Sequence, residues 1–422
     1  MPDKLEIPPH VAAHIIQRVG ESGQPPECGV GEIQVGFDPY LDVLVSEYLD
    51  PIVGSGRNAT FKLVQAGFGG GKSLFLRCVR DLGWERGMAS AIVCLSAKEC
   101  PFDNALLIYR AVAAVVSLPP ADRWTESEPG LDYTLRNRIE TLRDQLGESG
   151  VRKWIRTELR RARVDSRAFR NAVVAFVTAV LDRDEEAEDL IGGWLLGEKV
   201  RASLVAEHNI RDSITTANGF RMLRSLVQIL NALGCPGLVL GFDEVDKNLS
   251  LSRRRREAVA ENLRELLDRC GTGALPGLVC LYAVPPEFLR HVVPEYPALQ
   301  QRLEAPHPLA SASPQSVLID LEEVSLAPEA LLIAIGGRLL KLFEHARGVT
   351  LDADLQLANL TRLAKEVSES SFEVAHRRAF VKSAVDLLFR QQADEHAITD
   401  EELRALVGQS AIDDTTGPGE EF

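Results

Sequence analysis

The sequence is poor in aromatic residues, methionine and positive charge. Only 6% of its 422 residues are aromatic and 3 are methionine, so its core must be packed largely from aliphatic side chains. Lys plus Arg number 47 against 61 Asp plus Glu, a formal charge of -14. That excludes a protein coated in positive charge and confines any nucleic-acid contact to local basic patches. No apolar run approaches the ~18 residues of a membrane-spanning helix, so no membrane partner is expected. The opening MPDKLEIPPH lacks the charged and apolar regions of a signal peptide, and a cytoplasmic location follows as the expectation. Cys28, Cys78, Cys94, Cys100, Cys235, Cys270 and Cys280 form no CxxC pair and no regular spacing. They read as reduced thiols, most of them in apolar runs, with neither a disulfide framework nor a zinc site. What is present is ordinary for a globular chain of two or three domains: 45% hydrophobic and 26% charged residues.

Five short apolar runs have strand length: 61–66, 90–96, 237–242, 277–283 and 316–321. Separated by helical stretches, they read as a buried parallel sheet. Short helices are expected over 9–20 and 40–49, with a loop crowded by Gly and Pro between them. Residues 97–236 read almost wholly as helix, with Leu223, Leu226, Leu230 and Leu233 forming a stripe that stops at Gly234 and Pro236. This is long for one crossover and is treated as an insertion. Beyond the fifth run, Leu332, Ile335, Leu339 and Leu342 mark one helix face. Two more helices fit 352–369 and 373–390, and TDEE at 399–402 is a capping box that opens a last one.

The chemistry concentrates in FKLVQAGFGGGKSLFLRCVRDLG, where a strand ends in AGFGGGKS and a helix begins. Backbone N–H groups at a helix start hold phosphate provided no side chain blocks the approach, and Gly67, Gly69, Gly70 and Gly71 remove that obstacle. With Phe68 and Leu74 they make the expected nucleotide-binding set, in which Lys72 reaches the β and γ phosphates and the Ser73 hydroxyl sits on Mg²⁺. Ala66 stands where GxxxxGK[ST] has its first glycine. GLVLGFDEVD supplies the partner acids: Asp243 at a strand tip for the Mg²⁺ shell, and Glu244 beside it to polarise an attacking water.

Arg302 and Arg378 stand where a trans-acting arginine finger and a lid arginine would neutralise γ-phosphate charge; each reads equally as a solvated helix charge. Arg253 to Arg256 open a helix, where each positive charge opposes the helix dipole by ~0.3–1 kcal/mol. Such a cost invites phosphate or an acidic surface, although Glu257 and Glu261 offset part of it. Residues 152–170 carry eight basic residues against two acidic ones, the better candidate for a DNA or partner surface and otherwise a solvated helix face.

Taken together, AAHIIQRVGESGQPP, IQVGFDPYLDVL, AGFGGGKSLFLR, WLLGEK, GLVLGFDEVDK, LYAVPPEFL, YPALQQRL and RRAFVKSAVDLL resemble the BREX-associated ATP-binding proteins, BrxD-like relatives of the AAA+ and origin-recognition-like ATPases. The resemblance implies an ATPase of a bacterial anti-phage system that works on DNA beside a superfamily-2 helicase or another defence protein. Where such relatives tend to carry Gly-Thr-Pro after the fourth strand, with the Thr sensing the γ phosphate, this chain has Val284, Pro285 and Pro286. That departure bears on turnover more than on binding. The origin-recognition-like relatives often end in a winged-helix DNA module, for which the stretch after the three expected lid helices is too short.

The expected fold is therefore α/β: a P-loop, AAA+-like three-layer core with a five-stranded parallel sheet, a large helical insertion and a C-terminal helical lid. Residues 1–58 would be a helical segment packing on the core, 59–322 the core with 104–235 inserted, 323–408 the lid and 409–422 an acidic flexible tail. The expected ligands are ATP and Mg²⁺, the metal held by Ser73 and Asp243. Lys72, Asp243, Glu244, Arg302 and Arg378 are the expected catalytic set, Arg302 only within a homo-oligomer. The alternative is a nucleotide-dependent switch or scaffold that barely hydrolyses ATP.

Overall fold

Strands buried on both faces are apolar along most of their length, and the five runs follow that pattern, with Lys62 in the first as the clear exception. They form β1 (Thr60–Gln65), β2 (Ala89–Cys94), β3 (Leu238–Asp243), β4 (Leu278–Val284) and β5 (Leu318–Asp320). All pair in parallel in the order β2-β3-β4-β1-β5. The computed structural model describes residues 6–55, 58–96, 100–243, 252–304, 307–323, 326–370 and 376–415.

Side chains alternate across the sheet. Leu63, Leu240, Phe242, Cys280 and Tyr282 face one layer, while Val64, Val239, Val279, Leu281 and Ile319 face the other. Along the chain, α1 (Pro9–Ser22), α2 (Asp38–Leu44) and α3 (Asp50–Ser55) precede β1, and α4 (Lys72–Trp84) links it to β2. The stretch read as an insertion holds α5 (Ala105–Val115), α6 (Leu131–Thr157), α7 (Arg167–Asp182), α8 (Glu185–Leu195), α9 (Ala202–Ala206) and α10 (Gly219–Ala232). Its core is continuous with the first face, where Phe102 meets Phe242 and Tyr282 with ring centroids 5.1 and 5.0 Å apart. After α5 the chain returns to the β2 edge, where Ser90 and Ser117 exchange two 2.9 Å backbone hydrogen bonds. α11 (Arg253–Gly271) joins β3 to β4, and α12 (Pro297–Leu303) lies between β4 and β5.

The remaining helices are α13 (Pro328–Arg347), α14 (Ala353–Ser370), α15 (His376–Ala393) and α16 (Asp400–Thr415). They build a second core in which Leu332, Leu339, Phe343, Phe380 and Leu388 pack with Val11, Ile15, Ile16 and Val19 of α1. The N-terminal segment thus divides: α1 joins the C-terminal helices, while Phe37, Tyr40, Leu44 and Ile52 cover the sheet. The capping box at the start of α16 is closed in both directions, Thr399 N–H donating to Glu402 at 2.8 Å and Glu402 N–H to the Thr399 hydroxyl at 3.3 Å. α16 runs past 408, where the acidic tail was expected to begin, and residues 416–422 of that expectation lie outside the described residues.

Lys62 in β1 breaks the apolar rule. It is 1% exposed, and its ammonium donates to the Tyr48 hydroxyl at 2.7 Å, Ser316 O at 2.6 Å and Pro314 O at 3.3 Å. Burial lowers its pKa from 10.5 to about 7. Between those two values the unfolded chain holds a proton that the folded chain has released, so stability rises as pH climbs through that window. At about 1.4 kcal/mol per unit, a shift of this size corresponds to a rise on the order of 4 kcal/mol across the window. Burial raises the pKa of Cys78, Cys100, Cys235, Cys270 and Cys280 and so lowers stability over the same range; the Lys62 contribution is therefore read as the difference in urea unfolding between the parent and Lys62→Met, which should shift in favour of the parent between pH 7 and pH 10.

Candidate functional site

Six residues, Ala66 to Gly71, carry the chain from the end of β1 to the start of α4. The bend needs left-handed backbone at Gly69 (φ 69°) and Gly71 (φ 95°), which glycine adopts without a steric cost. At Gly70 the constraint is space: a Cβ there would lie 2.7 Å from the Ala66 Cβ and 3.0 Å from Gly67 O. Ala66 itself is fully buried, so its methyl occupies room left by Gly70. The Lys72 ammonium bends back to donate to Ala66 O and Gly67 O, both at 3.0 Å. The Gly67 N–H points the other way and donates to Glu322 Oε1 at 2.7 Å.

Above this loop lies a cavity with two unlike ends. One end is polar: Gly69 to Ser73, which open α4, with Asp243, Cys94 and Arg77. Parallel pairing brings these groups together, since Gln65 lies opposite Val284 and Cys94 opposite Asp243 at the carboxyl ends of the strands. Burial pulls the Arg77 pKa down, and Glu27, Asp243 and the Cys94 thiol pull it back up. The other end is apolar, lined by Val19, Ile33, Val35, Ile335, Leu339 and Val381. This suits a molecule with an anionic chain on an apolar ring. Among the described residues no group of three His, Cys, Asp or Glu stands ready for a metal. A divalent cation beside Ser73 and Asp243 would need oxygens from the ligand itself, as Mg²⁺ with phosphates does.

Of the expected nucleotide-binding residues, Phe68, Gly69, Gly70, Gly71, Lys72, Ser73 and Leu74 line the cavity, and Gly67 does not. Asp243 lines it and is 6% exposed, whereas Glu244 lies outside the described residues. Arg378 lines it as well, donating to Ser22 O at 2.7 and 3.0 Å with its guanidinium 5.8 Å from the Phe68 ring centroid. Arg302 does not. It makes a two-pronged ion pair with Asp268 and donates to Ala298 O at 2.6 Å. Val284, just before the Pro285 that stands in the place of the sensing Thr, is buried beside the loop and accepts from Ala66 N–H at 3.2 Å.

Sequence reasoning missed Arg377, which donates to Gly70 O at 2.6 Å and to Leu321 O at 2.9 Å. It also missed Arg77, Glu322 and the apolar wall contributed by α1 and the segment 33–35.

The two basic runs have different surroundings. Arg253 pairs with Glu257 at 3.3 Å, Arg255 with Asp103 at 2.7 Å and Arg256 with Glu295 at 3.7 Å, so the charge at the start of α11 is largely offset within the chain. In 152–170, Arg152 pairs with Glu148 and Asp182. Lys153, Arg156, Arg160, Arg161, Arg163 and Arg167 are exposed, and among the described residues they make no ion pair. The run is not one helix face, because it spans the end of α6, a short turn at Leu159–Arg161 and the start of α7.

A family model described as BREX system ATP-binding protein BrxC/D matches residues 7–406. No curated protein and no solved structure matches the chain. No helix among the described residues is long and apolar enough to cross a membrane.

Proposed function

The chain belongs to the BREX system ATP-binding protein BrxC/D family of phage defence, and on that premise we propose that it is a P-loop, AAA+-like ATPase whose C-terminal helices act as a lid. The observation that carries this reading is the two-ended cavity, with Lys72, Ser73 and Asp243 at its polar end and residues of α1, α13 and α15 at its apolar end. Lys72 and the loop amides would hold the β and γ phosphates of ATP, and the apolar wall would take the base. Mg²⁺ at Ser73 and Asp243 would offset phosphate charge there. Glu244 would accept the proton of the attacking water. Arg378, on α15 and in the cavity wall, would feel a change of charge at the phosphates and tilt the lid with it. The division is a core over 59–322 with 104–235 inserted, and a lid over 323–408. The exposed cations of 152–170 would meet the DNA backbone, and Arg302 would reach a nucleotide only across a contact between copies.

The test is ATP turnover by the purified protein with and without duplex DNA, beside Lys72→Ala and a triple Arg160→Ala, Arg161→Ala, Arg163→Ala chain. Turnover should exceed the Lys72→Ala background and rise with DNA, and the triple chain should lose that rise. Six phosphate contacts correspond to a log–log salt slope for DNA binding near about −5, which the triple chain should flatten. A second reading, a nucleotide-dependent switch with little hydrolysis, is favoured by one observation: Val284, Pro285 and Pro286 put no side-chain hydroxyl beside the loop. Binding without turnover above the Lys72→Ala background, with or without DNA, decides for it.

A further inference from the structure

Between α1 and α2 the segment 22–27 runs along the cavity, which its residues Gly23, Gln24 and Pro25 line. Pro25 and Pro26 have no N–H, so this stretch cannot be pinned there through its own amides. It is held from outside, by arginines of α15 and α4. Arg378 donates twice to Ser22 O, at 2.7 and 3.0 Å, and packs so closely on Gly23 that a Cβ there would lie 2.5 Å from the Arg378 Cγ. From α4, Arg77 donates to Pro25 O at 2.7 Å and to the Glu27 carboxylate. Arg80, three residues further along the same helix, donates to Glu27 O and, at 3.3 Å, to its carboxylate. Burial lowers the Arg77 pKa, and Glu27 comes first among the charges that raise it. Arg77 stands in the cavity wall, yet both of its terminal nitrogens are engaged by this segment.

We propose that Arg77 is a positioning residue for the nucleoside end of the ligand: it acts on bound nucleotide through the segment 22–27 and not through the phosphates. The reading rests on the proposed nucleotide site and assigns within it a residue that sets affinity for the nucleoside. Val19, in the apolar wall, stands just before this segment on α1, and Gly23, Gln24 and Pro25 continue the wall toward Arg77. The distance of that wall from the phosphate loop is therefore set by what ties the segment to α4. A guanidinium suits the task because its fork reaches a carbonyl and a carboxylate at once, whereas an ammonium is one point charge. Glu27 is exposed and does not line the cavity, so it bears on a ligand in two ways, by its charge and by its hold on the segment. The two have opposite signs. Removing an anion near the polar end favours a polyphosphate; removing the anchor loosens the wall and weakens the grip on the nucleoside alone.

Glu27→Ala separates them. In titration calorimetry of the full chain with Mg²⁺, ATP affinity should fall about tenfold, while affinity for inorganic tripolyphosphate should stay within about twofold of the parent. Tighter ATP binding would mean that Arg77, released from Glu27, serves the phosphates directly, and that overturns the proposal. So does an equal loss for both ligands, which a merely structural contact would give. Arg77→Lys is the second variant: it keeps the charge and loses the fork, and should repeat the ATP loss with tripolyphosphate unchanged. If Arg77→Met weakens both ligands and Arg77→Lys restores both, charge at the phosphates is the cause and the positioning role is refuted. If the parent, with native circular dichroism, binds neither ATP nor tripolyphosphate, the proposed nucleotide site itself is wrong and this role goes with it. If the parent binds both and Glu27→Ala binds ATP equally well, the site stands and the positioning role falls.

Discussion

Replacing Gly70 with alanine should weaken ATP binding about a hundredfold, and adding Ala66→Gly to the same chain should restore most of the loss. The argument is one of volume. Gly70 does not lie in the left-handed region, so alanine is compatible with its backbone. What it lacks is room, because the new methyl would stand 2.7 Å from the Ala66 Cβ, well inside van der Waals contact. Relief by shifting the loop would move Gly67, whose oxygen is the next nearest atom at 3.0 Å and one of the two acceptors of Lys72. Overpacking costs of ~1–3 kcal/mol are usual, and a hundredfold change in affinity is about 2.7 kcal/mol. Ala66→Gly removes the nearest obstacle and leaves the oxygen, so the rescue is large but incomplete. Ala66→Gly alone should bind ATP as the parent does while losing about 1 kcal/mol of stability, since its methyl is fully buried. Calorimetric titration of the four chains makes a double-mutant cycle, and additive effects would dismiss the idea that residues 66 and 70 share one space.

The second large effect is on turnover. Glu244→Gln should leave ATP affinity within about twofold of the parent and lower the hydrolysis rate by about 10²- to 10⁴-fold, the range that a positioned general base supplies. The amide keeps the shape of the side chain and cannot accept the proton. Lys72→Ala should differ in kind, losing binding along with turnover, because the ammonium belongs to the polar end of the cavity. If Glu244→Gln hydrolyses ATP at the parent rate, the water is activated by another group, and Asp243, already in the cavity wall, is the next residue to change.

The sheet left a clear trace in the sequence because strands covered on both faces hold few polar residues. GLVLGF and GLVCLYA lie within one residue of β3 and β4. β5 is shorter than its apolar run because Ser316 is engaged elsewhere, its hydroxyl donating to His307 O and its carbonyl accepting from Lys62. The loop was legible for a local reason: glycines, lysine and serine stand together in the chain as they do in space. The contacts that join α15 to the loop had no such trace. HRRAF offers two neighbouring arginines, and successive residues on a helix point about 100° apart, so one side chain reaches Gly70 and Leu321 while the next reaches Ser22. Spacing alone does not say which is which. The same holds for the arginines at the start of α11: Glu257 is visible as an i,i+4 partner, but Asp103 and Glu295 become neighbours only in the folded chain.

The union of α1 with the C-terminal helices bears on how the protein is made. Val19 and Val381 share one wall of the cavity, yet a ribosome adding roughly 5–20 residues per second needs tens of seconds to travel from the first to the second. Until α13 and α15 have followed, the apolar face of α1 lacks most of its partners, and the loop at Gly67 to Ser73 lacks the wall that those helices supply. Nucleotide therefore cannot stabilise the nascent chain until α15 has emerged, and a product of interrupted synthesis would expose the α1 stripe. An intact cavity is thus a sign that the chain has been made at least through α15.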